Sequence, residues 1–322
     1  MYKFLITYIC IIIGAVGLLW GINQILFSTG DQQAVVKVVI EQNQGVSHIA
    51  DALLEKELIH SRLLFLLYSY VSGSYSKYQP GVYAVAPSSS LREIIKLLIG
   101  GPKDVTVTII PGMTLREIDE MLAQNGVIAT GTLLKTAPST FKDTIRSLKN
   151  AKTLEGFLMP DTYRFKGSSD VEEVIETILA NFKKENNSLS YQTLIKASLI
   201  EKEVPQDDDR VIVAGIIEKR LAMGMPLQID ATVRYWACGE RFTNCGSFRR
   251  SDFSTDSPYN TYIYKGLPPA PICNPSQSAI DAARSPKASP FLYYLSDPQT
   301  SKTIFSKTLE EHNKNRALYL GL

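Results

Sequence analysis

Along the first third of the chain the apolar positions fall into two phrases of similar design. Residues 35–40 run apolar with alternation, the mark of a strand, and after Gly45 and Ser47 the positions Ile49, Leu53 and Leu54 take up helical spacing. Residues 105–110 read as a second strand, Pro111 and Gly112 turn the chain, and Thr114 offers a helix cap. Ile118, Leu122 and Ile128 then repeat Ile49, Leu53 and Ile59, each 69 positions further on. That spacing is consistent with two strand-helix units of common ancestry. Between them come a helical run at 63–71, a turn at Pro80 and Gly81 leading into an apolar segment at 82–85, and a helix at 90–99 closed by Gly100, Gly101 and Pro102.

From residue 154 the pattern changes to longer helices, predicted at 171–184, 191–204 and 210–223. Beyond Gln228 the chain becomes turn-rich and aromatic, with Pro258, Gly266, Pro268, Pro269, Pro271 and Pro275 interrupting regular structure. Loops of this kind on a helical scaffold are where binding clefts are built. At the other end, residues 5–27 carry no charged residue over 23 positions, enough for a helix to cross a hydrocarbon core of about 30 Å. The stretch is longer than a signal-peptide core and no A-x-A cleavage site follows it, so an uncleaved transmembrane anchor is expected. Lys3 on the short side and Asp31 on the other favour an inside N-terminus and an exported body. The expected fold class is therefore α+β, organised as a cytoplasmic stub and anchor at 1–30, a small module at 34–102, a second strand-helix unit and connector at 103–153 and a catalytic domain at 154–322.

Composition narrows the chemistry. The chain is 45% hydrophobic and 20% charged, with a formal net charge of +2 and no Lys/Arg stripe, so the electrostatic footprint of a nucleic-acid binder is missing. With three histidines and no HExxH, paired CxxC, phosphate-binding loop or dinucleotide fingerprint, metal hydrolysis, NTP use and redox chemistry lack their parts, and no cofactor or metal is expected. Of the four cysteines, Cys10 lies in the apolar stretch and Cys273 has no evident partner. Cys238 and Cys245 bracket the turn-like GERFTN, which in an oxidising compartment could close a small disulfide loop; two free thiols are the alternative.

What remains is carboxylate chemistry, concentrated in ASLIEKEVPQDDDR at 197–210. Leu194, Ala197, Ser198, Leu199 and Ile200 mark a buried helix, and Pro205 should end it near Val204. Glu201 and Glu203 fall in its last turn and point about 200° apart, so at most one faces a given cleft. Glu203 sits on the apolar side, nearest the negative end of the helix dipole, and both effects favour its protonated form. A carboxylic acid kept neutral near pH 7 is what a general acid must be. The plain alternative is that Glu201, Lys202 and Glu203 form a solvated helix end.

Five ordered blocks sharpen this reading: LEGFLMPDTY (154–163), ASLIEKEV (197–204), RLAMGMPLQIDATVRY (220–235), SPYNTYIYKGLPPAPICNP (257–275) and SPFLYYLSD (289–297). Together they resemble the endolytic murein transglycosylase family, the YceG-like proteins, over nearly the whole chain. The resemblance implies a membrane helix, a LysM-like module and a catalytic domain that cuts peptidoglycan glycan strands to leave a 1,6-anhydro-N-acetylmuramic acid end. It places the catalytic acid on Glu203, with Glu201 as the alternative, and offers Gln228, Asp230, Asn260 and Tyr262 as groups that position sugar. Glu155 is a further candidate for substrate contact, with scaffold hydrogen bonding as its alternative, and Arg220 is a candidate for orienting a carboxylate or meeting the lactyl group. Peptidoglycan polymerases at the plasma membrane are the implied partners. The chain departs from the family pattern at Glu218, Ala231 and Cys273. Two rivals remain at this stage, a non-enzymatic wall-binding scaffold and the pyridoxal-phosphate aminodeoxychorismate lyases to which such sequences have also been assigned.

Overall fold

The computed structural model describes residues 35–321 apart from 42, 168, 244, 247 and 248, and over these residues the chain is mixed α+β. The described residues divide into two compact units, one formed by those within 35–105 with 125–127 and 164–169, the other by those within 106–124, 128–163 and 170–321. Contrary to the expectation of a transmembrane helix in the fold, among the described residues no helix is long and apolar enough to cross a membrane. The apolar stretch at 5–27 on which that expectation rested lies outside the described residues.

In the first unit, strand β1 (Val36–Ile40) pairs antiparallel with β2 (Gly81–Val85), in the register Val36↔Val85 and Val38↔Tyr83. Helices α1 (Val46–Glu55) and α2 (Arg62–Val71) lie between the strands in sequence, and α3 (Leu91–Gly100) follows them. Strand alternation sends Val38 and Ile40 inward, where they meet Ile49 and Leu53 of α1, Phe65 of α2 and Ile94 and Leu98 of α3. Ser90 caps α3 in a reciprocal box with Glu93, which accounts for two amide groups that would otherwise lack partners.

Strand β3 (Asp104–Ile109) pairs with β4 (Asp161–Lys166). Helix α4 (Leu115–Gln124) opens with Thr114 accepting from the Glu117 amide while Glu117 accepts from the Thr114 amide, and the short α5 (Thr132–Lys135) follows. The second unit is built on α6 (Val171–Asn186), α7 (Tyr191–Glu203), α8 (Asp207–Ala222), α9 (Asp230–Ala237) and α10 (Gln277–Arg284). Strands β5 (Tyr293–Ser296) and β6 (Thr303–Ser306) form an antiparallel hairpin, and helix α11 (Leu309–Leu320) packs on it. Helix α6 buries Val174, Ile175, Ile178, Leu179 and Phe182, a stripe at helical spacing, with Asp170 as its cap and Lys183 and Lys184 in its last turn. Helix α7 is the inner element. Leu194, Ala197, Ser198, Leu199 and Ile200 are buried, Ser190 caps its start, and Val204 turns extended ahead of Pro205.

Helix α8 holds the segment that leads into β5. Gly215 lies so close to this segment that a Cβ there would stand 2.0 Å from the Lys287 carbonyl oxygen. The Lys287 amide donates to the Val211 carbonyl, and Lys219 and Arg220 donate to the carbonyls of Pro290 and Leu292. The prediction is that Gly215→Ala forces the 287–292 segment off α8 and destabilises the protein by about 1–3 kcal/mol, as overpacking does. Thermal unfolding checks it, and an unchanged midpoint would contradict the close approach.

Candidate active site

The last turn of α7 sends its two glutamates to different places. Glu201 turns inward, where it accepts from the Ser276 amide at 2.9 Å and from the Ser276 hydroxyl, and pairs with Arg210 of α8 at 3.3 Å. Both charged side chains are nearly enclosed, at 7% and 8% exposure. Arg210 also donates to the Val204 carbonyl and to the Ser276 hydroxyl, so the buried pair is saturated with hydrogen bonds and Glu201 is committed to the scaffold. Glu203, about 200° further round the helix, reaches a cleft of about 720 Å³.

Glu203, Arg220, Gln228, Asp230, Tyr262 and Tyr294 share that cleft. The Tyr294 hydroxyl donates to Glu203 Oε2 at 2.7 Å. Desolvation pushes the Glu203 carboxyl up to about 7; the negative charge of Asp230 adds to the rise, while the Tyr294 hydrogen bond and the positive charge of Arg220 oppose it. Burial also raises Tyr294 well above the usual phenol range, which keeps it a hydrogen-bond donor. Asp230, the first residue of α9, accepts from the Tyr262 hydroxyl. Gln228 enters the cleft from a left-handed backbone conformation, φ 54°, held by its amide donating to the Thr261 carbonyl; such strain in a residue other than glycine is a mark of functional sites.

The other candidates read from sequence sit elsewhere or are already engaged. Arg220 lines the cleft, but its guanidinium donates to the carbonyls of Leu292 at 2.8 Å and Leu227 at 2.7 Å and lies over the Tyr293 ring. Asn260 is buried and outside the cleft lining; its amide donates to the Phe253 and Thr255 carbonyls and its oxygen accepts from the Tyr262 amide, so it shapes the loop that presents Tyr262. Glu155 is buried away from the cleft, accepting from the Leu115 amide, Asn274 and Tyr235, and burial pushes its carboxyl up to about 8. Cys238 and Cys245 are bridged, with Cα atoms 5.4 Å apart, and the loop they close is pinned through the Phe242 and Thr243 amides to Glu117. Cys273 is a buried free thiol donating to the Ser198 carbonyl. Among the described residues no group of His, Cys, Asp and Glu is arranged to hold a metal ion.

Sequence reasoning missed Tyr294 and the wall that α11 contributes through Leu309, His312, Asn313, Arg316 and Leu320. Tyr294 lies inside the block SPFLYYLSD, where nothing in the sequence sets it apart from Tyr293. Helix α11 has no buried residue, so it carries no apolar stripe to announce it; its one clear signal was Thr308 as a cap.

The raised Glu203 carboxyl has a consequence for stability. Its folded-state pKa of about 7 lies above the ordinary 4.5, so the favourable contribution of the protonated group is complete below pH 4.5 and is lost as pH rises through about 7. Glu203→Gln removes that titration. Its melting temperature should gain on that of the unaltered protein as pH climbs from 4.5 to 7.5, and a gap that stays constant over this range would contradict the assignment.

Comparison with known proteins agrees with this architecture. The model of the YceG-like family matches residues 38–318. A Bacillus subtilis protein named endolytic murein transglycosylase is 33% identical over 90% of this chain and 86% of its own length. A Streptococcus pneumoniae protein of the same name is 29% identical over 96% of this chain, which spans 62% of that longer protein. A crystal structure of a YceG-like protein from Listeria monocytogenes superposes with a TM-score of 0.57 at 30% identity, covering 88% of this chain and all of the other. With the family match running through both units and the cleft that holds Glu203, the chain belongs to the YceG-like family.

Proposed function

We propose that this protein is an endolytic peptidoglycan lytic transglycosylase that works outside the cytoplasm, with Glu203 as its acid and then its base. The carrying observation is a carboxyl that faces an open cleft and is held near pKa 7 by burial, with the Tyr294 hydroxyl bonded to it. The names of the relatives supply the reaction class and the glycan substrate.

In this mechanism protonated Glu203 gives its proton to the oxygen linking C1 of N-acetylmuramic acid to the next sugar, and the C1–O bond breaks. The C6 hydroxyl oxygen of the same muramic residue then bonds to C1, and its proton passes to the Glu203 carboxylate. The acid is restored, a 1,6-anhydro end forms and no water is consumed. Tyr294 stabilises the carboxylate present between the two proton transfers. Asp230, with Tyr262 fixing its orientation, lies where its negative charge favours the positive character that develops at the anomeric carbon. Gln228 offers an amide to the sugar substituents. The Cys238–Cys245 bridge suits an oxidising compartment, which supports an extracytoplasmic site of action. Nascent strands at the outer face of the membrane, beside the polymerases that make them, are the substrate the resemblance implies.

One observation favours a second reading. Asp230 shares the cleft with Glu203, and two carboxylates are the equipment of a glycosidase that uses water. The product separates the two. Mass spectrometry of glycan strands incubated with the protein should find anhydro ends, one water lighter than reducing ends, and Glu203→Gln should lower their formation by at least about two orders of magnitude. Reducing ends would move the assignment to a hydrolase. The pH profile of kcat/KM should fall as pH rises through about 7, where Glu203 loses its proton. Tyr294→Phe removes a hydrogen bond that lowers this pKa, so the descending limb should move to higher pH, by about half to one unit. An unmoved limb would mean that a different group sets it.

A further inference from the structure

Helix α11 presents a single face to the cleft, Leu309, His312, Asn313, Arg316 and Leu320, at the spacing of one helical stripe. On a helix that packs into a core this stripe would be apolar throughout. Here it is apolar at its ends and polar in the middle, and no residue of the helix is buried.

The cations around the cleft are not equivalent. Arg220 spends its guanidinium on backbone carbonyls and on one face of the Tyr293 ring. His312 stacks on that ring as well, with centroids 5.2 Å apart, and burial together with the charges of Arg316 and Arg220 lowers its pKa, so it is neutral at pH 7. Arg316 is different. Among the described residues it makes neither an ion pair nor a side-chain hydrogen bond, it is exposed, and it lines the cleft beside Asn313. A guanidinium kept without a carboxylate on the wall of a binding cleft is a preorganised fork for one.

We infer that Arg316, with Asn313 beside it, forms a subsite for a carboxylate carried by the muramic acid residue of the bound strand. This rests on the glycan-cleaving reading and extends it, because it makes the cleft select strands by the charge of their substituents as well as by their sugars. The carboxylate has two chemical sources, the lactyl group where the stem peptide has been removed and the stem peptide itself where it remains. Arg220, which the sequence also offers for this role, is occupied by backbone carbonyls.

Binding tests this without requiring turnover. Glu203→Gln protein, which holds strands without cutting them, is titrated with peptide-bearing strands, with peptide-stripped strands, and with stripped strands whose lactyl carboxylates have been amidated. Adding Arg316→Ala should weaken binding about five- to tenfold on carboxylate-bearing strands and leave amidated strands unaffected, while Arg316→Lys retains part of the affinity. Weakening on peptide-bearing strands alone identifies the stem peptide, and weakening on stripped strands alone identifies the lactyl group. Equal weakening on all three, no weakening on any, or a parent that binds none of them overturns the inference. Charge-selective binding by a protein that leaves strands intact before the Glu203 substitution would instead overturn the enzymatic reading and leave Arg316 standing.

Discussion

The ion pair between Glu201 and Arg210, closed by Ser276, is the constraint on which the site depends. A charge pair out of water is tolerated when each partner is fully bonded, and removing one partner leaves the other stranded. Glu201 has the Ser276 amide and hydroxyl as well as Arg210, and Arg210 has the Val204 carbonyl as well. These bonds fix the rotation of the last turn of α7 against α8 and the start of α10. With that rotation fixed, helical geometry leaves Glu203 facing the cleft. Glu201 is thereby committed to the scaffold, and Glu203 is the glutamate of this turn that lines the cleft.

The remaining groups are brought to Glu203 by backbone hydrogen bonds from distant stretches of chain. Ser198 accepts from the Ile272 amide, and Asn274 joins the Met113 carbonyl to the Leu158 amide, which ties the proline-rich segment to α7 and to the turn ahead of α4. Arg220 and Lys219 hold the carbonyls that precede β5 and so place Tyr294 over Glu203. Asn260 shapes the loop that delivers Tyr262 to Asp230. Polar side chains bonded to backbone therefore set the distances between residues that line the cleft.

Much of this was readable where local physics governs. The helices α6, α7 and α8, the Thr114 cap and the end of α7 at Val204 before Pro205 follow from periodicity and capping. The opposed directions of Glu201 and Glu203 followed from helical geometry alone. The long-range partnerships could not be read this way. Asn260 and Arg220 look like substrate ligands in a sequence and prove to be bonded to backbone carbonyls, because a buried carbonyl leaves no trace in residue type. Tyr294 and the α11 wall were missed because they meet the cleft through a hairpin and a helix with no apolar pattern. The described residues also contain no membrane-crossing helix, and the stretch that suggested one lies outside them.

The central claim is that Glu203 is held as a protonated acid near neutrality while Glu201, two residues away, is tied into the scaffold by Arg210 and Ser276. Titration of 13C-carboxyl-labelled glutamate by NMR, with Glu203→Gln to assign the resonance, measures this directly. The account predicts a Glu203 midpoint near 7. A midpoint at the ordinary carboxyl value of 4.5 would contradict it, since Glu203 would then be ionised at neutral pH with no proton to give.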